Sequence, residues 1–278
     1  MQTLKLTSDV VFKSFMMSKN TNNYKARLIH LITGIPESDL KKAIYQSVEL
    51  PIDKNNQKVM KTDIITTIKN HILSIEMNKD YYETILKKNS NYISKVKAES
   101  LKSGESYKEQ KQIIQINFDN YHIYKGEKII YEFKMLEIDT LEEEYEGESI
   151  SYHIDLENLK SYNKEDELKR LLELFISENV ENLRGIDIMD EAINELEILS
   201  QNENIIGLYD AELLEQSIRE EIKDKALKNG LEKGIEKGQY DKGIEIAKKM
   251  LNENMDIEVI SKITDLSKQE IIDLKNAL

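Results

Sequence analysis

The chain has no cysteine and no tryptophan, and only two prolines, Pro36 and Pro51, in 278 residues. Without cysteine there can be no disulfide and no thiolate metal site. The four histidines, His30, His71, His122 and His153, are scattered without the spacing of metal ligands. No run of about 18 apolar residues occurs, so no membrane-spanning helix is expected. The N-terminus carries no secretory signal. Together these absences predict a soluble, cytoplasmic protein with no membrane partner.

What is present is charge, unevenly divided. The net charge of −13 argues against nucleic acid at first sight. Yet Met1 to Lys125 holds 20 Lys+Arg against 13 Asp+Glu, while the remainder holds 19 against 39. Such a split predicts a basic lobe able to meet phosphate and an acidic lobe with other work, such as holding a protein partner. Two merely solvated lobes are the competing reading.

The rest of the chain is organised around Lys58 to Asn78. Ile64, Ile65, Thr66, Thr67 and Ile68 are all β-branched, as are Ile72 and Ile75 beyond a polar Lys69-Asn70-His71 break. This is the composition of two pleated, half-buried strands joined by a tight turn. An antiparallel pair places Asp63, at the start of the first strand, beside Glu76, at the end of the second. Two carboxylates plus water are what Mg²⁺ takes when it also binds a phosphate. The competing reading is a surface hairpin with solvated acids at its ends.

Before this hairpin, Thr7 or Ser8 is placed to cap a helix beginning near Asp9, with Phe12, Phe15 and Met16 on one face. A second helix over about Tyr24 to Thr33 stops at Gly34-Ile35-Pro36. A strand is expected over Ile44 to Ile52. After the hairpin, Tyr81 to Lys102 reads as a helix in which Lys88, Lys95 and Lys102 recur every seven residues, with Tyr92 nearby. Lysines on one face neutralise a nucleic-acid backbone without reading sequence, or are simply solvated. Gln112 to Phe118 reads as a core strand, followed by strands over Lys128 to Ile138 and Ile150 to Leu156. Helices are expected over Glu165 to Ser177 and Asp187 to Leu199. This order predicts an α/β fold around a mixed sheet.

The last third differs. Ala211 to Asn254 reads as one long helix or two, punctuated by Gly230, Gly234 and Gly238 at spacing four. Each glycine weakens a helix by about 1 kcal/mol relative to alanine. Three at one register suggest a packing seam for a homo-oligomer through residues 211–254, or a frayed tether. Met255 to Leu278 reads as helix, turn, helix, with Ser267 and Glu270 in capping-box spacing. It is a DNA reader or an interaction module.

These motifs, taken in order, resemble one family: the recombination-promoting, transposase-like nucleases of the PD-(D/E)XK superfamily. Ser8-Asp9-Val-Val-Phe12-Lys13 is similar to the family's Asp-x-x-Phe-Lys opening. Lys58, five residues before Asp63-Ile64, resembles its Lys-x-x-x-x-Asp-Ile/Val, and Ile75-Glu76-Met77-Asn78 stands where the family has Ile-Glu-Met-Gln. Lys88-x-x-x-Tyr92, Leu101-Lys-x-Gly104-x-x-Tyr107 and Ile113-x-x-Ile116 follow the family's next run, with Lys88 in place of arginine. The glycine-punctuated tail and its close also match, where a glycine often replaces Asp265.

The resemblance implies a PD-(D/E)XK nuclease-like mixed sheet flanked by helices over 1–200, a glycine-punctuated helical segment over 201–254 and a helix-turn-helix-like module over 255–278. It implies a Mg²⁺- or Mn²⁺-dependent DNA endonuclease of low sequence specificity, linked to recombination or transposition. Asp63 and Glu76 would hold the metal, and Asp9 would help position it or its water. Asn78 would complete the catalytic set, and Lys58, Lys88, Tyr92 and Lys95 would meet DNA. Many superfamily members carry lysine at the place of Asn78, where a charge stabilises the developing phosphorane; an amide can only hydrogen-bond. Asn78 is also one methylene shorter than glutamine, and Lys88 lacks arginine's bidentate fork. These departures keep open a second reading, a catalytically impaired nuclease fold that binds nucleic acid or a protein partner without cutting.

Overall fold

The computed structural model describes residues 4–50, 60–145 and 147–277. Helix α1 (Asp9–Met17) opens on Ser8, whose Oγ accepts the Val11 N–H at 3.4 Å. Phe12, Phe15 and Met16 are buried, as their spacing predicts. Helix α2 (Asn22–Thr33) ends on Gly34 at φ 77°, a left-handed cap that glycine adopts without strain. A short α3 (Glu37–Leu40) leads to β1 (Gln46–Leu50). Strands β2 (Met60–Ile68) and β3 (His71–Asn78) follow, joined by the two-residue turn Lys69-Asn70 with Lys69 at φ 46°.

Helix α4 (Ile85–Glu99) is shorter than the sequence suggested. Ser100 closes it by donating its hydroxyl to the Lys97 carbonyl at 2.7 Å, so Lys102 lies past the end and leaves the lysine face. Next come β4 (Gln112–Asp119), β5 (Ile130–Phe133) and β6 (Ile150–Asp155). The strand expected to Ile138 stops at Phe133; beyond it only an isolated bridge joins Leu136 to Glu144 among the described residues. Helices α5 (Leu156–Ser161), α6 (Glu167–Ile176) and α7 (Asp187–Leu199) precede α8 (Glu203–Asn252), a single helix where one or two were expected. Helices α9 (Ile257–Thr264) and α10 (Lys268–Ala277) follow.

The six strands of the described residues form one mixed sheet in the order β1-β2-β3-β4-β6-β5. β3, β4 and β6 run parallel, and the outer strands are antiparallel to their neighbours. The sheet is flanked by helices, as the PD-(D/E)XK resemblance implies.

Strand alternation gives the sheet two unlike faces. Ile64, Leu73, Ile75, Ile116, Phe118 and Ile154 join the main core with side chains of α1, α2, α6 and α7. There Phe118 stacks on Phe175 at 4.7 Å and meets Phe12 edge-on at 6.0 Å. The opposite face carries Ser74, Glu76, Asn78, Gln115, Asn117, Asp119, His153 and Asp155, all buried. α4 covers part of it through a small cluster of Ile72, Val96 and Ile113. Central parallel strands usually read as continuous apolar runs. Here they alternate, because one of their faces is a buried polar surface.

The chain divides into two compact units, Met1–Glu212 and Leu213–Leu278. The second has its own small core of Ala247, Ile260, Leu266 and Ile271. Gly243 permits a close approach there, since a Cβ would meet the Thr264 carbonyl at 2.9 Å. Asp265 turns the chain between α9 and α10 at φ 58°. Ser267 and Glu270 form the expected capping box, with N–H to side-chain distances of 2.8 and 3.3 Å. Among the described residues no helix is long and apolar enough to cross a membrane.

Candidate active site

The β2–β3 register sets Ile64 against Ile75 and so brings Asp63 opposite Glu76. Asp63 Oδ2 accepts the backbone N–H of Met77 at 2.9 Å, which fixes the carboxylate beside Glu76. Its Oδ1 lies 3.1 Å from Lys13 Nζ. Lys13 also holds Asp9 at 2.6 Å, one helical turn back on α1, so a single ammonium bridges two acids. Asp9 therefore reaches Asp63 through Lys13. Glu212 secures the start of α1, accepting from Ser8 Oγ at 2.6 Å, the Asp9 N–H at 3.3 Å and Lys79 Nζ at 3.0 Å.

The electrostatics follow from burial. Glu76 is 1 % exposed. Desolvation first, and then the Asp63 charge, push its pKa well above the usual carboxylate range, against the pull of Lys88 and Lys13. Burial also raises Asp63, opposed by Lys13 and reinforced by Asp9. Burial works against the Lys13 ammonium, but Asp63 and Asp9 outweigh it and its pKa rises. Burial raises the Tyr92 hydroxyl, with Lys88 opposing and the charges of Glu76 and Asp63 adding to it. Helix α4 thus brings Lys88 and Tyr92 to the acids, with the Lys88 ammonium 5.1 Å from the Tyr92 ring centre.

Asn78 lies on the same face as Glu76, two positions along β3, and donates its Nδ2–H to Asp119 Oδ1 at 2.8 Å. Lys95 sits further along α4, paired with Glu99 at 3.0 Å. Lys58 falls outside the described residues.

Several residues at this face escaped the sequence reading. Lys13 was visible only as part of a motif. Asp119 accepts the side chains of Asn78, Tyr121 and His153, the last at 2.7 Å. Asn117 lies opposite Glu76 on β4. The signal was present in the alternation Ile114-Gln-Ile-Asn-Phe-Asp119 and Ile150-Ser-Tyr-His-Ile-Asp155. Strand alternation alone does not say whether such polar positions face solvent; here a mixed sheet with helices on both faces buries them.

Among the described residues no three His, Cys, Asp or Glu side chains are grouped as metal ligands, so the donor set rests on the pair Asp63 and Glu76. Mg²⁺ is commonly bound by one or two carboxylates together with water and substrate phosphate. Asn117 Oδ1 is buried with no partner in the protein, as are both amide atoms of Asn89 on α4. Buried polar atoms are rarely left unpaired. Two desolvated acids beside an unpaired oxygen fit a hard, oxygen-seeking cation.

No curated protein and no solved structure matches the chain. Two family models do. The C-terminal helix-turn-helix domain of the Rpn/YhgA-like nuclease family matches residues 241–276, which include α9 and most of α10. The PD-(D/E)XK nuclease family transposase model matches residues 6–225, spanning the whole sheet, both carboxylates and the helices around them. With that match over most of its length, on a helix-flanked mixed sheet carrying an Asp63–Glu76 pair, the chain belongs to the transposase-like PD-(D/E)XK nuclease family.

Proposed function

We propose that the protein is a metal-dependent DNA endonuclease of low sequence specificity, acting in recombination or transposition within the cytoplasm. The observation that carries this reading is the pair of buried Glu76 and half-buried Asp63, set opposite each other on β2 and β3 and flanked by Lys13, Lys88 and Tyr92. Asp63 and Glu76 would hold Mg²⁺ or Mn²⁺, which lowers the pKa of a bound water and polarises the scissile phosphate. Lys88 neutralises the phosphodiester entering between α4 and the sheet. Tyr92 bounds the site beside it. Lys13 opposes the protonation that burial favours at Asp63 and orients its carboxylate, and Asp9 holds Lys13. The helix-turn-helix domain supplies a second DNA contact, without which the acidic half of the chain would repel the substrate.

The test is a nicking assay on supercoiled plasmid with Mg²⁺ or Mn²⁺. Wild type is expected to convert the plasmid to open circles. Asp63→Ala and Glu76→Ala are each expected to lower the rate at least about 10³-fold, a loss of roughly 4 kcal/mol of transition-state stabilisation. Wild type that binds plasmid but never nicks it would overturn the enzyme reading for this substrate. A binding-only protein is the second reading. Its support is that Lys13 already pairs with Asp63 and that the Asn78 amide is engaged by Asp119 rather than turned to a phosphate.

A further inference from the structure

We infer that Asp119, backed by His153, is a positioning residue that turns the Asn78 amide so that its oxygen, not its nitrogen, faces the Asp63–Glu76 pair. The inference rests on the metal-site reading above and deepens it. β3 lies between β2 and β4 in the sheet. Asn78 is in register with Asp119 on β4, and Asp63 is on β2. A carboxylate at 2.8 Å accepts only an N–H, so the Asn78 nitrogen must point toward β4. Its oxygen is left on the β2 side, where Asp63 lies.

Asp119 cannot readily turn away. It is 1 % exposed, and its other oxygen takes His153 Nδ1 at 2.7 Å. Tyr124 and Phe133 meet the His153 ring edge-on, with centroids at 5.6 and 5.8 Å. The row His153–Asp119–Asn78 is thus packed from its far end.

A second amide repeats the arrangement. Asn117 Nδ2 donates to the Tyr152 carbonyl at 3.1 Å and to Ser151 Oγ at 3.4 Å, both on β6, and to Gln115 Oε1 at 3.3 Å on its own strand. Its Oδ1 is buried and unpartnered, on the β4 position in register with Glu76. Two amides on adjacent strands, each with its nitrogen engaged by protein acceptors, make the site a set of acceptors. The place of Asn78, where a lysine would donate to phosphate, here presents a neutral oxygen. Asn carbonyl oxygens are ordinary ligands of hard cations and of their bound waters.

The test measures Mn²⁺ binding to the full-length protein, without DNA, by electron paramagnetic resonance of the free ion. Asp119→Asn can offer Asn78 an oxygen or a nitrogen and so frees its amide to flip. Its Mn²⁺ affinity is expected to fall about 10–100-fold, the usual effect of losing a group that orients a ligand. The exchange N78D/D119N is the decisive variant. The amide introduced on β4 would donate to the carboxylate introduced on β3 and accept from His153, keeping the row intact with an oxygen toward the acids. It should bind Mn²⁺ at least as tightly as wild type.

Metal-free melting temperatures identify any variant that fails to fold, and the exchange preserves both hydrogen bonds if the single change does not. Unchanged affinity in a folded Asp119→Asn, or an exchange no tighter than that single variant, overturns the positioning role alone. Wild type that binds no Mn²⁺ overturns the metal-site reading and this inference with it.

Discussion

At the scale of single residues, the site sets stability against function. The raised carboxyls of Glu76 and Asp63 keep protons in the folded chain that the unfolded chain has released. Their contribution to stability is fully present below the ordinary glutamate value of 4.5 and is lost as pH rises through the raised value. Metal-free protein should therefore melt at progressively lower temperature from about pH 4 toward neutrality. Glu76→Gln should flatten that slope and raise the melting temperature at pH 7.5. Each pKa unit is worth about 1.4 kcal/mol, and each kcal/mol moves the midpoint by roughly 2–4 °C at this size. The same variant should not nick plasmid, and added Mg²⁺ should stabilise wild type but not the variant. A Glu76→Gln protein that melts lower than wild type at pH 7.5 would show that the carboxylate is well satisfied without metal. Asn78→Lys gives a second check. Asp119 is placed to capture the new ammonium, so no gain in nicking is expected unless Asp119 is replaced as well.

Legibility in the sequence also divides at this scale. Asp63 and Glu76 could be read because a hairpin is local: 13 positions apart with a two-residue turn, their pairing follows from strand period alone. Asp119 and His153 could not, because their roles depend on a parallel pairing of β4 with β6 and on α4 burying a face whose exposure strand alternation alone does not decide. Lys13 depends on α1 packing against β2, another contact between distant parts of the chain.

At the scale of elements, the helix signals were accurate where capping chemistry is explicit. Ser8, Gly34 and the Ser267–Glu270 box mark real ends. The end of α4 was missed because Ser100 closes it with a hydrogen bond that has no strong sequence signature. The α8 glycines now have a sharper test. A Cβ at Gly230, Gly234 or Gly238 would meet nothing within 4 Å, whereas one at Gly243 would press on the Thr264 carbonyl. Gly234→Ala should therefore stabilise the helix by about 1 kcal/mol. Gly243→Ala should destabilise the second unit, read as an earlier loss of helical signal on heating. If Gly234→Ala instead lowers the mass measured by light scattering, the glycines form the seam of a homo-oligomer through 211–254. An unchanged mass with a higher melting point favours an independent helix.

At the scale of the whole molecule, a nuclease unit and a small helical unit share one chain. Removing residues 241–278 should leave kcat for plasmid nicking near wild type and raise KM about tenfold, as expected when a tethered DNA contact is lost. An unchanged KM would mark the module as a protein-binding element. The basic bias of the first 125 residues predicts that the truncated chain still binds DNA and loses affinity steeply with salt.

The bridge from Lys13 to Asp63 also bears on the order of assembly. The hairpin carrying both acids needs only local contacts, and hairpins form in about 1–10 μs. Formed alone, it would bring two carboxylates together with no counter-charge. During synthesis the N-terminal segment leaves the ribosome first, so α1 with Lys13 is already outside when residues 60–78 emerge. The cation that quiets Asp63 precedes the acid it quiets, and a circular permutant that moved α1 to the far end would have to fold its nuclease centre against its own repulsion.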